Sequence, residues 1–104
     1  MRVELTRSGG LGGARLTTEV DSAELPDAEA RRLEEMAAGI DLGDLANRSP
    51  LRGSGADRFQ YDLVVTDRSA RHEITVSEDA ASSELRTLID WLLARARGAA
   101  DDQR

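Results

Sequence analysis

The residue types that could do chemistry in this chain are few, and the densest group is a glycine-rich segment near its start. It consists of Arg7, Ser8, Gly9, Gly10, Leu11, Gly12 and Gly13, and it holds four of the nine glycines. Glycine has no Cβ, so such a segment can turn tightly or approach another surface closely. Leu11 then either folds back onto the core or enters a pocket of a binding partner, and the segment by itself leaves both readings open.

Side chains suited to catalysis or to metal binding are scarce. The chain has no cysteine, which excludes thiolate metal sites and cysteine nucleophiles. Its single histidine, His72, cannot form a histidine-rich zinc site, and no H-E-x-x-H pattern is present. We expect His72 to be a structural or surface residue, because a general base needs a nucleophile and a cleft that the sequence does not place beside it. The sequence therefore predicts a protein that is not an enzyme and has no cofactor.

Two further patterns, an acidic pair and the glycine-rich segment, share some features with ion-binding sites. Asp41 and Asp44 lack the ordered ligand spacing of a calcium loop. The glycine-rich segment is not followed by the Lys-Ser or Lys-Thr pair of a phosphate-binding loop, and the next element reads as a strand. Neither pattern predicts a metal or phosphate site.

Composition limits the class of protein and of partner. The chain has 104 residues, enough for one domain with its own core. All fourteen basic residues are arginine, and the net charge of −6 argues against nucleic acid as a partner. No apolar run approaches the ~20 residues of a membrane span, and the first five residues do not resemble a signal peptide. We therefore expect a cytoplasmic protein with no membrane partner.

Hydrophobic periodicity predicts the elements that must position the glycine-rich segment. Apolar residues alternate with polar ones over residues 2–7, 14–20, 58–66 and 71–77, as expected for half-buried strands. The last two of these, joined by a short turn, should form an antiparallel hairpin. The glycine-rich segment would then be the loop between the first two strands.

Two helices are predicted from the spacing of apolar residues. The first has Pro26 in its first turn and ends at Gly39; the second is capped by Ser82 or Ser83 and ends at Gly98. Residues 41–57 are expected to be a mostly exposed loop. It would be anchored on the core by Leu42, Leu45 and Leu51.

The order ββαββα predicts an α+β fold in which about four antiparallel strands carry two helices packed on one face. Residues 1–98 would form a single domain, and residues 99–104 a disordered C-terminal tail.

Four short motifs are distinctive: Thr6-Arg7-Ser8-Gly9-Gly10-Leu11, Ala56-Asp57-Arg58-Phe59-Gln60-Tyr61, His72-Glu73-Ile74-Thr75-Val76 and the closing helix from Ser83-Glu84-Leu85. With these motifs the chain resembles, over nearly its whole length, the emfourin family, small bacterial protein inhibitors of thermolysin-like zinc metallopeptidases such as protealysin. Family members often have phenylalanine where this chain has Leu11.

The resemblance implies an inhibitor that blocks the active-site cleft of such a peptidase with the segment from Arg7 to Gly13, and Leu11 would enter the pocket for a bulky apolar residue. A different class of function stays open: a non-enzymatic interaction or regulatory module, with an exposed sheet face or Trp91 as the contact surface. The sequence allows either a monomer or a homodimer.

Overall fold

The computed structural model describes residues 1–9, 15–52, 59–68 and 70–102, with side chains described up to Arg97. Four strands in this part form one antiparallel sheet of order β2-β1-β3-β4. The strands are β1 (Arg2–Gly9), β2 (Leu16–Asp21), β3 (Phe59–Asp67) and β4 (Ala70–Ser77), and the helices are α1 (Asp27–Ala38), α2 (Leu42–Arg48) and α3 (Ser83–Asp102). The predicted α+β class and the antiparallel four-stranded sheet are confirmed.

The period-two pattern decides which face of the sheet is buried. On β1, Val3 and Leu5 are 0% and 1% exposed. Arg2, on the opposite face of the strand, is exposed to solvent. Register aligns apolar residues across the strands, with Val3 opposite Val65. We call the buried side of the sheet its inner face; the members with the lowest exposure are Val3, Leu5, Val20, Tyr61, Leu63, Val65, Ile74 and Val76.

Helices α1 and α3 cover this inner face with apolar residues three and four positions apart. In α1 these are Leu33, Met36 and Ala37, and in α3 they are Leu85, Leu88, Ile89, Leu92 and Leu93. Gly39 ends α1 as predicted, and the Ser82 hydroxyl accepts a hydrogen bond of 3.3 Å from the Leu85 amide at the start of α3. No helix in the described part of the chain is long and apolar enough to cross a membrane.

One helix was not predicted. Residues 42–48, expected to belong to an exposed loop, form α2, so the order is ββααββα. The Asp41 carboxylate caps α2 by accepting from the Asp44 amide at 3.1 Å, and Leu45 is buried beneath it. The helix escapes the sequence pattern because seven residues with one buried side chain show no 3.6-residue period. The predicted anchoring by Leu42, Leu45 and Leu51 is confirmed, since all three pack on the core.

Helix α3 also ends later than predicted. Its backbone stays helical to Asp102, past Gly98, where the sequence analysis places the end. Glycine inside a helix is unfavourable but tolerated, so Gly98 is not by itself a stop signal. The division into a domain over residues 1–98 and a tail over residues 99–104 stays a prediction.

The outer edge of β4 is covered by the chain that follows α2. The Leu51 amide donates to the Thr75 carbonyl and the Ser77 amide to the Leu51 carbonyl, each at 2.8 Å. The Ser49 hydroxyl accepts a further bond of 2.8 Å from the Thr75 amide. At the opposite edge, β2 has no strand partner on its outer side within the described residues. Within the described residues, the chain after α2 thus covers the β4 edge at Thr75 and Ser77, whereas no strand pairs with the outer edge of β2.

Replacing Leu45 tests whether α2 is a packed element. Leu45→Ala should lower the free energy of unfolding by about 2–3 kcal/mol, because the buried side chain leaves a cavity. Asn47→Ala, an exposed change in the same helix, should alter it by less than about 0.5 kcal/mol. Urea denaturation of both variants measures the difference, and equal effects would show that α2 is not packed on the core.

Candidate functional site

One end of the sheet gathers the residues around the glycine-rich segment. Gly9 ends β1, Leu16 begins β2, and Phe59 begins β3. Gly9 lies opposite Phe59 in the register, and Arg7 lies opposite both Leu16 and Tyr61. We call this the loop end of the sheet, because residues 10–14 and residues 53–58 both attach to it in sequence.

Three of the predicted site residues are placed here. Arg7 lies in the first strand as predicted, whereas Ser8 and Gly9, expected in the loop, also continue β1, and all three pair with β3. Pairing with β2 stops at Arg7, so β3 is the one strand that pairs with Ser8 and Gly9 among the described residues. Gly10, Leu11, Gly12 and Gly13 lie outside the described residues.

Gly9 has a physical reason to be glycine. Its φ is 86°, in the left-handed region that side chains with a Cβ rarely adopt. The backbone therefore leaves the extended conformation at Gly9, which is still paired with Phe59. This departure occurs at the last residue of β1.

The Arg7 side chain lies on the inner face, stacked on an aromatic ring. Its guanidinium carbon is 4.4 Å from the centre of the Phe59 ring, the geometry of a cation–π contact. The two residues are diagonal neighbours across β1 and β3, close enough for long side chains to meet. The sequence places Phe59 in a predicted strand and in a motif shared with the resembled family, but it does not predict this contact with Arg7; the available signal is that Phe59 is the one phenylalanine of the chain.

The Arg7 Nε is buried and has no hydrogen-bond partner among the described residues. A buried donor left without an acceptor costs about 1–3 kcal/mol. The stack with the ring returns about 0.5–2 kcal/mol. An apolar residue would avoid this cost, so stability alone does not account for an arginine at this position.

Tyr61 lies beside Arg7 on the inner face and is 3% exposed. Burial raises the pKa of its phenol above the ordinary value, because the charged form is poorly solvated there. Glu78 raises this pKa further, whereas Arg86 and Arg7 lower it. The loop end thus combines the buried Tyr61 phenol with charged side chains from three different parts of the sequence.

The remaining candidates for chemistry lie away from the loop end. His72, on β4, is half-buried on the inner face opposite Val65, and its Cε1 is 3.9 Å from the position that a Cβ on Gly43 would take. It therefore packs against α2. No cluster of three potential metal ligands occurs among the described residues. A shallow groove of about 390 Å³ lies at the other end of the sheet, lined by Met1, Glu34, Ala37, Ala38, Leu42, Asp67 and Arg68.

The outer face of the sheet is polar, and its charges are paired within the molecule. Arg2 contacts Glu19 at 2.6 Å and Glu4 at 3.4 Å. The Thr75 hydroxyl donates to Asp62 at 2.7 Å. Such a face is typical of a solvated surface.

The emfourin family model matches residues 5–93, from β1 to the middle of α3. The chain belongs to the emfourin family. The resemblance carried by the sequence motifs is therefore confirmed. Emfourins are known as metallopeptidase inhibitors, so membership supports an inhibitor in kind, with a peptidase as partner, and not an enzyme. No curated protein and no solved structure matches the chain.

The pKa of Tyr61 can be measured directly in this emfourin, because Tyr61 is its only tyrosine. Since burial raises the pKa in the folded protein, tyrosinate absorbance should appear at higher pH in the native protein than in urea. The folded state then loses stability as pH rises above about 10, because the unfolded chain releases the proton first. Tyr61→Phe should abolish this loss. Equal titration midpoints in native and urea-unfolded protein would contradict the prediction.

Proposed function

We propose that this protein inhibits a thermolysin-like zinc metallopeptidase by placing the segment from Arg7 to Gly13 in the active-site cleft. Membership of the emfourin family supports an inhibitor in kind. The observation that carries the cleft-blocking mode is the position of Arg7, Ser8 and Gly9 at the loop end, where the strand leads directly into Gly10 and Leu11. We further propose that it acts in the bacterial cytoplasm.

The chemistry of the segment fits such a target. Thermolysin-like peptidases cleave before bulky apolar residues, so a leucine suits their main specificity pocket. Glycines on both sides of Leu11 permit close approach of the backbone to a narrow cleft. No cofactor is required of the inhibitor, since the zinc belongs to the peptidase.

Leu11 alone cannot supply tight binding. Burying one leucine contributes about 1.5–3 kcal/mol, whereas nanomolar affinity requires about 12 kcal/mol. The difference must come from flanking contacts and from a low ordering cost. Ser8 and Gly9 are already paired with β3, so this part of the segment loses little conformational freedom on binding.

The alternative function is an interaction or regulatory module that works as a homodimer. One observation favours it: the outer edge of β2 has no strand partner among the described residues, and open edges can pair with a second copy. Size-exclusion chromatography with light scattering separates the two functions. A stable dimer that does not inhibit the peptidase would support the module.

The proposed function is tested by measuring the inhibition constant of the purified protein against a thermolysin-like peptidase. Leu11→Asp should raise this constant at least tenfold, because a carboxylate is poorly tolerated in an apolar pocket. Leu11→Phe should keep inhibition, since the pocket accepts bulky apolar side chains.

The matched control is Ala70→Asp, which adds the same charge at an exposed position at the opposite end of the sheet. It should leave the inhibition constant within about twofold of wild type. Circular dichroism checks that all variants fold. Inhibition by Leu11→Asp equal to that of wild type would exclude the mechanism.

A further inference from the structure

Among the described residues, the last two residues of β1 pair with a single neighbouring strand. Pairing with β2 ends at Arg7, whereas pairing with β3 continues through Ser8 to Gly9. Arg7 is the last residue of β1 that pairs with β2. Its guanidinium carbon lies 4.4 Å from the centre of the ring of Phe59, the first residue of β3. The stack therefore joins β1 to β3 where the backbone pairing becomes one-sided.

The ring is the contact that fixes the Arg7 guanidinium. Arg7 forms no ion pair or hydrogen bond with the residues that the structure describes, and its Nε is buried without a partner. Without the ring, nothing among these residues would hold the guanidinium in its present place. The contribution of Arg7 should therefore depend on Phe59.

We propose that Phe59 and Arg7 act together as positioning residues for inhibition, by bracing the end of β1 against β3 before the peptidase binds. The inference rests on the proposed function and deepens it, because it assigns Phe59 a role and changes that of Arg7. In this proposal Arg7 acts within the chain: its side chain is on the inner face, its guanidinium is stacked on the Phe59 ring, and its Nε is buried.

The mechanism is preorganisation. A binding segment that is already held in its bound conformation avoids the entropy cost of ordering at the moment of association. Gly9 takes a φ of 86° while paired only with Phe59, so a loosened β1–β3 contact would free this turn. The stack of Arg7 on Phe59 keeps Gly9, the last residue of β1, in one conformation.

A double-mutant cycle tests the proposal. The inhibition constant is measured for wild type, Arg7→Met, Phe59→Leu and the double variant, which keep apolar bulk at both positions. Each single change should raise the constant about fivefold, as expected for loss of one cation–π contact. The double variant should be no weaker than the weaker single variant, because each change removes the same contact.

A conservative variant provides the matched control. Phe59→Tyr keeps an aromatic face, so it should retain inhibition within about twofold of wild type. If Arg7→Met weakens inhibition by the same factor with and without Phe59→Leu, Arg7 acts independently of the ring and the proposal is wrong. Unchanged inhibition by both single variants would also overturn it.

A measurement on the free protein separates this proposal from the proposed function. Amide hydrogen exchange at Ser8 and Gly9 should be at least about fivefold faster in Arg7→Met and in Phe59→Leu than in wild type. Exchange at Val3 and Leu5, in the doubly paired part of β1, should stay unchanged and so shows that the variants fold. If wild type does not inhibit, the proposed function fails, while unchanged exchange at Ser8 and Gly9 would disprove the brace itself.

Discussion

The structure depends on the pairing of β1, one of the two central strands of the sheet, which has β2 on one side and β3 on the other. Its inner residues Val3 and Leu5 are almost fully buried and lie against partners in both β2 and β3. A shift of one residue would turn both side chains to the polar outer face, so the hydrophobic core fixes this register strongly. Because Gly9 belongs to the same strand, the register that the buried residues fix also fixes the position of Gly9 opposite Phe59.

The two ends of β1 differ in a way that bears on function. At its start, the Met1 ammonium donates to the Ser22 hydroxyl and the Ser22 amide to the Met1 carbonyl, so the chain is tied down. At its other end, pairing with β2 stops at Arg7 among the described residues, and the buried Arg7 Nε has no hydrogen-bond partner there. Departures from the best local stability are expected at functional positions. This difference between the two ends agrees with the proposed placement of the inhibitory segment at the loop end.

Much of the fold could be predicted from the sequence because strands and long helices repeat a simple pattern. The alternation in β3 and the apolar stripe of α3 each extend over many residues, so single exceptions do not hide them. Helix α2 is too short to show a period, and its cap at Asp41 resembles an ordinary polar loop. The stack of Arg7 on Phe59 was missed for another reason. It depends on β1 lying beside β3, and these strands are not consecutive, so no short connecting turn in the sequence indicates that they are neighbours.

The role of the β-sheet in the proposed inhibition follows from comparing the free-energy cost of ordering the backbone with the gain from burying a leucine. Fixing the backbone of one free residue costs about 1–2 kcal/mol, which is close to what a buried leucine contributes in a pocket. A free peptide with the glycine-rich sequence would therefore gain little by entering a cleft, since glycine loses the most freedom on ordering. In the proposed inhibitor, β3 has already ordered Ser8 and Gly9 through backbone pairing. In the proposed mode, the sheet would contribute to affinity by ordering the end of β1 before binding, so the residues that hold the loop end would matter together with Leu11.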